Sequence, residues 1–272
     1  MGEGRSTLPL LPCHQGTGNS LDIPLRYVER LIKHLYTDSP EEFLIKGFLE
    51  TSFVDWPGNI CAVLFLPRCN FRCSYCHNAD LVLHPETMKN ISFASVMARL
   101  RQHKGWIDGV CVSGGEPTIH PFLPQLLSAI KKEGFLTKLD TNGGRPGVLS
   151  SLINDGLVDY IAMDIKAPLA EDAYGKVTGA QGVMEKVKQS VEIIRQGAVP
   201  YEFRFTVVPT YHQPADIYRV AEELSGAAKL TLQNFKPKHT LDPLLNTSSS
   251  YRTEDLSAYQ QQVNQIISQQ VH

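Results

Sequence analysis

The stretch Ile60-Cys61-Ala62-Val63-Leu64-Phe65-Leu66-Pro67-Arg68-Cys69-Asn70-Phe71-Arg72-Cys73-Ser74-Tyr75-Cys76-His77-Asn78 decides what kind of protein this is. Its first seven residues form an unbroken apolar run, as expected of a strand buried on both faces. The run stops at Pro67, and three cysteines follow at C-x3-C-x2-C spacing. Four thiolates close an iron-sulfur cluster, so a loop that carries three leaves one iron open to an outside ligand. The alternative is a structural zinc site built from Cys69, Cys73, Cys76 and His77. Zinc sites usually pair two close ligands with two more farther along the chain. No second C-x2-C exists here, and the spacing favours a cluster.

Downstream, the pattern of apolar run and helical repeat recurs. Strands are expected at residues 60–66, 109–112, 136–140, 158–163, 202–208 and 230–234, and helices near 93–102, 122–133, 147–154, 183–196, 214–224 and 254–269. Six such units imply a parallel sheet with right-handed crossovers, and their span fits a partial α/β barrel better than an open doubly wound sheet. The polar motifs decide this. The cysteine loop, Ser113-Gly114-Gly115-Glu116-Pro117, Asp140-Thr141-Asn142-Gly143, Asp164-Ile165-Lys166, Val208-Pro209-Thr210 and Lys236-Pro237-Lys238-His239 each fall at the carboxyl end of a predicted strand. That is the face on which α/β barrels assemble their sites.

The 272 residues carry a formal net charge of -2 with no dense Lys/Arg run, which gives nucleic acid no electrostatic footing. A protein or small-molecule partner is expected. Residues 1–11 are too polar for a secretory signal, and no segment nears the ~20 apolar residues of a membrane span. Cys13, Cys61 and Cys111 form no paired framework, which predicts the reducing cytoplasm. Two domains are expected. Residues 1–45 comprise a leader (1–22) and an amphipathic helix carrying Leu25, Val28, Leu31, Ile32 and Leu35. Residues 46–272 form the barrel with a C-terminal covering helix, in which Leu256, Tyr259, Val263, Ile266 and Ile267 make the apolar stripe. Ser39-Pro40-Glu41-Glu42 reads as a capping box or as a turn into an edge strand.

Among the chemistry-bearing residues, Gly114 and Gly115 allow backbone to approach a ligand closely, and the Glu116 carboxylate can accept hydrogen bonds from an ammonium group. Asp164 and Lys166 alternate along a strand end and so share a face. Lys166 can hold a carboxylate, and Asp164 with Asp140 can bind a hard cation or a ribose. Arg204 lies among apolar neighbours and is not a simple surface charge. His239 stands in a Lys/Pro loop.

The cysteine run resembles the signature of radical S-adenosylmethionine enzymes. Residues 47–58 (Gly47-Phe48-Leu49-Glu50-Thr51-Ser52-Phe53-Val54-Asp55-Trp56-Pro57-Gly58), Cys76-His77-Asn78, Asp140-Thr141-Asn142-Gly143 and Met163-Asp164-Ile165-Lys166 are similar to the glycyl-radical-enzyme activases. Within them the resemblance is to the anaerobic ribonucleoside-triphosphate reductase activating proteins, from about residue 46 to about residue 240. It implies a partial (βα)6 barrel of the radical S-adenosylmethionine type with an N-terminal extension. A [4Fe-4S] cluster on Cys69, Cys73 and Cys76 and S-adenosylmethionine are the implied cofactors. Gly114, Gly115 and Glu116 then meet the amino group of S-adenosylmethionine, Tyr75 lies against its adenine, and Lys166, Arg204 and His239 contact it. Asp140, Thr141 and Asp164 line a monovalent-cation site in the related formate-lyase activases, and Asp55 faces the partner's glycyl loop. Trp56 stands where those activases commonly carry glycine, and Ala79 where proline is frequent; both departures bear on the partner's identity. The implied activity is that of an oxidoreductase, reduced by an external flavodoxin or ferredoxin, that places a glycyl radical on a partner enzyme. The alternatives are a pyruvate formate-lyase-type activase, a radical enzyme acting on a small molecule or peptide, and a non-catalytic zinc-binding module.

Overall fold

Strands that are apolar on both faces need cover on both sides, and the sheet is built to supply it. The computed structural model describes residues 43–269. Six parallel strands follow in chain order: β2 (Cys61–Leu66), β3 (Gly109–Gly114), β4 (Leu136–Thr141), β5 (Tyr160–Ile165), β6 (Tyr201–Val207) and β7 (Leu230–Asn234). A seventh, β1 (Gly47–Ser52), pairs antiparallel with β2, and the sheet runs from β1 to β7 without closing. The expected six-unit partial barrel is therefore present, with an added edge strand.

The helices are α1 (Ala79–Leu83), α2 (Phe93–Gln102), α3 (Leu123–Lys132), α4 (Pro146–Asn154), α5 (Glu171–Thr178), α6 (Met184–Arg195), α7 (Pro214–Glu223) and α8 (Thr253–Ile267). The period-2 alternation of strands sorts their side chains. Leu64, Val112, Leu139, Ile161 and Phe203 join the main core with the helices. The opposite parity, which includes Ser113, Asp140, Asp164, Arg204, Thr206 and Gln233, lines a cavity. Among the described residues no helix is long and apolar enough to cross a membrane.

Strand β5 begins at Tyr160, two residues later than expected. The cause is Asp159, whose carboxylate accepts from the Thr137 backbone N–H at 2.8 Å and from Lys131 Nζ, ending the preceding turn before the ladder starts. Helices α1 and α5 were not expected; both are short, and neither carries a long enough apolar repeat to declare itself. The expected leader and amphipathic helix, with residues 39–42, lie outside the described residues. From Phe43 onward the chain packs on the barrel: Phe43 meets Phe93 edge-on and Ile45 is fully buried.

The covering role expected of the C-terminal helix has a polar half. Val263 and Ile267 of α8 are buried, while Gln260 acts as a substitute strand at the β7 edge. Its Oε1 accepts from Leu232 N at 2.7 Å and its Nε2 donates to Leu230 O at 2.8 Å. An unpaired edge is a template for unwanted pairing, and one glutamine side chain closes this one.

Trp56 forms the floor of the barrel. Ser52 Oγ accepts from the backbone N–H groups of Val54 and Asp55. That turn leaves Phe53 and Val54 exposed and sends the indole inward against Cys61, Val63, Cys111 and Tyr160. A Cβ on Gly109 would lie 2.6 Å from the indole, so the floor fits only with glycine there. Trp56→Ala should lower the unfolding free energy by about 3 kcal/mol, read as a drop in the urea midpoint at unchanged slope. His212 is packed behind β6, against Phe205 and Tyr75. Burial lowers its pKa from 6.5 to about 4, and its Nδ1 lone pair already accepts from Val208 N at 3.0 Å. The unfolded chain takes up this proton near pH 6.5 and the folded chain only near pH 4, so stability falls as pH drops through that window. The loss should reach about 2–3 kcal/mol. His212→Gln keeps an acceptor for Val208 N and should lose this part of the pH dependence; a urea midpoint that falls as far between pH 7 and pH 4.5 in His212→Gln as in the wild type would contradict the assignment.

Candidate functional site

The cysteine loop is held from several sides. Arg68 turns the chain out of β2 with φ 62, its N–H donating to Leu81 O. Arg72 N donates to Thr178 O at 2.7 Å, and on the far side Leu241 N and Asp242 N donate to Cys76 O and Ser74 O. His77 Nε2 lies 2.6 Å from Lys236 O, and Asn78 Nδ2 donates to Gly114 O. Held in this way, Cys69, Cys73 and Cys76 all line one cavity of about 410 Å³. Burial pushes Cys69 up to about 12 and Cys73 up to about 11, and raises Cys76. These thiols are therefore protonated near neutrality in the protein alone, and a metal's charge is what would hold them as thiolates.

The glycine turn after β3 is pressed against the same loop. Gly115 N donates to Leu66 O, Glu116 N donates to Arg68 O at 2.8 Å, and a Cβ on Gly115 would lie 1.7 Å from that carbonyl oxygen. Glu116 is buried and its carboxylate is engaged. Oε1 accepts from Thr118 N, Thr118 Oγ1 and Thr141 Oγ1, and Oε2 accepts from Asn142 N at 2.7 Å. It ties the β3 loop to the β4 loop, where the sequence alone offered it as a free acceptor. Burial raises its pKa despite these bonds.

Below the loops a chain of ion pairs crosses the inner face. Lys138 Nζ bonds Asp140 Oδ1. Asp140 Oδ2 accepts from Ser113 Oγ at 3.0 Å and from Arg204 at 3.2 Å. Arg204 Nε donates to Asp164 Oδ1 at 2.9 Å, and Lys166 Nζ donates to Asp164 Oδ2 at 2.9 Å. The structure thus brings Tyr75, Gly114, Gly115, Glu116, Asp140, Asp164, Lys166 and Arg204 to the cavity wall with the three cysteines, and Asp55 lines it too.

His239 is not among them. Phe235 is buried and Lys236 O is held by His77, so the chain leaves the barrel, passes His239 exposed at φ 54 and returns to put Leu241 on the cavity. Sequence reasoning also missed residues. Lys138 stands two positions before Asp140, so strand alternation could have placed it on the inner face. Thr206 and Gln233 line the cavity by the same parity. Asn142 Nδ2 lies 3.6 Å from Cys69 Sγ, a contact no local pattern announces. His77, the fourth ligand of the zinc reading, has its Nε2 engaged by Lys236 O at 2.6 Å. Cys61 and Cys111 are buried strand residues, as expected, and the structure places them on the inner face.

Comparisons with known proteins agree with this geometry. A provisionally named glycyl-radical enzyme activating enzyme of Methanocaldococcus jannaschii is 29% identical over 211 residues, 73% of this chain and 82% of that one. The pyruvate formate-lyase-activating enzyme of Clostridium pasteurianum is 29% identical over 214 residues, 75% and 87% of the two chains. Among solved structures, Streptococcus suis SuiB bound to S-adenosylmethionine superposes with a TM-score of 0.55 at 16% identity, over 75% of this chain and 48% of SuiB. Archaeal TYW1 superposes with a TM-score of 0.50 at 15% identity, over 89% of each chain. These two likenesses speak to the fold. The Radical SAM superfamily profile matches residues 63–224, a span that begins in β2 and ends past α7. It takes in more than half of the chain, and the chain belongs to the radical SAM superfamily, whose cofactors are a [4Fe-4S] cluster and S-adenosylmethionine.

Proposed function

We propose that this protein is a glycyl-radical-enzyme activase, an oxidoreductase of the cytoplasm whose partner is an anaerobic ribonucleoside-triphosphate reductase. The observation that carries the reading is the extent of the cavity: it runs from the cysteine triad past the ion chain to Asp55, Thr206 and Gln233. The sheet that carries it stays open between β1 and β7, which leaves the lateral mouth that a partner's polypeptide would need. The relatives' names support an activase, and Asp55-Trp56-Pro57-Gly58 with Cys76-His77-Asn78 supports the reductase as partner. A pyruvate formate-lyase-type partner is the second reading, favoured by the name of the Clostridium pasteurianum relative.

The residues fit the cofactors. Three thiols face one cavity, beside a glycine turn that a Cβ would fill. Cys69, Cys73 and Cys76 would hold three irons of the cluster. When bound, the cluster and S-adenosylmethionine would supply a one-electron reductive cleavage of the sulfonium, the electron coming from an external flavodoxin or ferredoxin, with methionine as leaving group and a 5′-deoxyadenosyl radical able to take a hydrogen atom from a glycine Cα. The protein's own part is positioning and exclusion of water. Lys166, already oriented by Asp164, would meet the carboxylate of S-adenosylmethionine; the turn at Gly114 and Gly115 would approach its ammonium; Tyr75 would wall its adenine.

Lys166→Ala should weaken S-adenosylmethionine binding roughly tenfold or more while iron content stays intact; an unchanged dissociation constant would remove Lys166 from the site. The partner is tested by anaerobic mixing with S-adenosylmethionine, a reductant and either the reductase or a formate-lyase. The expected product is a doublet electron paramagnetic resonance signal on the reductase, collapsing to a singlet when its glycine carries deuterium at Cα. A signal on the formate-lyase alone would favour the second reading, and 5′-deoxyadenosine released with no protein radical would overturn both.

A further inference from the structure

Lys138 has no solvent-exposed side chain and takes no part in the reading above. Lysine is almost never buried unless paired, and this one is paired deliberately. It stands on β4 with Cys111 of β3 on one side and Tyr160 of β5 on the other. Its ammonium bonds Asp140, 3.7 Å from Cys111 Sγ and 5.9 Å from the centre of the Tyr160 ring. Neither neighbour can neutralise it, so its partner is Asp140.

The reason lies in the charge balance of the inner face. Asp140 and Asp164 bring two negative charges; Arg204, which bridges them, brings one positive. Lys166 also rests on Asp164, but it points to the cavity and is the cation available to an incoming carboxylate. With Lys166 given to a ligand, Lys138 and Arg204 balance the two aspartates. Without Lys138, one carboxylate is left uncompensated, and either a cation from solution must enter or Lys166 must stay with Asp164.

We propose that Lys138 is the site's built-in counter-cation, a positioning residue that holds Asp140 and, through Arg204, Asp164, so that Lys166 is free for the carboxylate of S-adenosylmethionine and no monovalent cation from solution is needed. The proposal rests on the placement of that carboxylate at Lys166. The test uses the full chain, anaerobically reconstituted with iron and sulfide, and reads the dissociation constant of S-adenosylmethionine with K⁺, Na⁺ or choline as the only monovalent cation. The wild-type constant should be the same in all three. Lys138→Met should weaken binding by roughly tenfold to a hundredfold, as expected for one lost charge-assisted hydrogen bond, with iron content retained. Lys138→Ala should be weakened in choline and recover in K⁺ or methylammonium, small enough to enter the vacated space. Wild-type binding that fails in choline would overturn the proposal, as would wild-type affinity in Lys138→Met. A cation-insensitive loss in Lys138→Ala with a lowered melting midpoint would reduce Lys138 to packing and overturn it equally. If Lys166→Ala binds as the wild type does, the carboxylate placement itself is wrong, a failure separate from the cation dependence.

Discussion

Two carboxylates inside a barrel are tolerable because each is met by cations, with Arg204 standing between them. Burial alone would raise the pKa of Asp140 and Asp164; Arg204 first, then Lys138 beside Asp140 and Lys166 beside Asp164, holds both below the ordinary carboxylate range. Removing one partner from such a buried set leaves an uncompensated charge, which costs several kcal/mol. The guanidinium suits this position because it is planar and permanently charged, and its separate N–H groups reach carboxylates on two strands at once. Arg204 pairs in register with Asp164 on the neighbouring strand, while Asp140 lies one strand further. The ion chain therefore fixes the relative height of β4, β5 and β6 as well as the charge of the cavity.

Above the ion chain the same economy recurs in the loops. Glu116 accepts four hydrogen bonds from two loops, and Thr141, one residue beyond Asp140, is among its donors. Asn142, whose N–H donates to Glu116, also contacts Cys69 and Asn70 through its side chain. The cysteine loop, the glycine turn and the carboxyl end of β4 are thus one connected body. A group bound at the cysteines and a group bound at Lys166 are positioned by the same network, and neither depends on a free-standing loop.

Much of this could be read from residues 60 to 240. An apolar run followed by a polar motif, six times over, announces a parallel sheet with its site at the strand ends. The C-x3-C-x2-C spacing announces the cluster loop because its meaning is local. Tertiary pairings were not legible. His239 stood in a suggestive loop, yet Phe235 and the His77 bond to Lys236 turn that loop away from the cavity. Glu116 looked like a free acceptor because nothing in the chain near it names Thr141 or Asn142 as donors. Trp56 was legible only as a departure from the glycine common in formate-lyase activases, while the structure buries it against Gly109, fifty-three positions away. Lys138 was passed over because an isolated lysine in a strand is ordinarily solvated.

The open sheet explains how these parts coexist. A closed barrel would pair β1 with β7 and shut the inner face; here the two edges stay apart. The β7 edge is silenced by Gln260, and the opposite side is turned inward by Ser52, whose hydroxyl bends the chain so that Asp55 reaches the cavity and Trp56 fills the floor of the barrel against Cys61, Val63 and Cys111. The floor keeps water from reaching the ion chain from below, which preserves the low dielectric that makes its pairings strong. With the floor shut by an indole and the roof formed by the cysteine loop, the gap between the sheet edges is left as the route by which a peptide would reach Asp55, Thr206 and Gln233 in the proposed reaction.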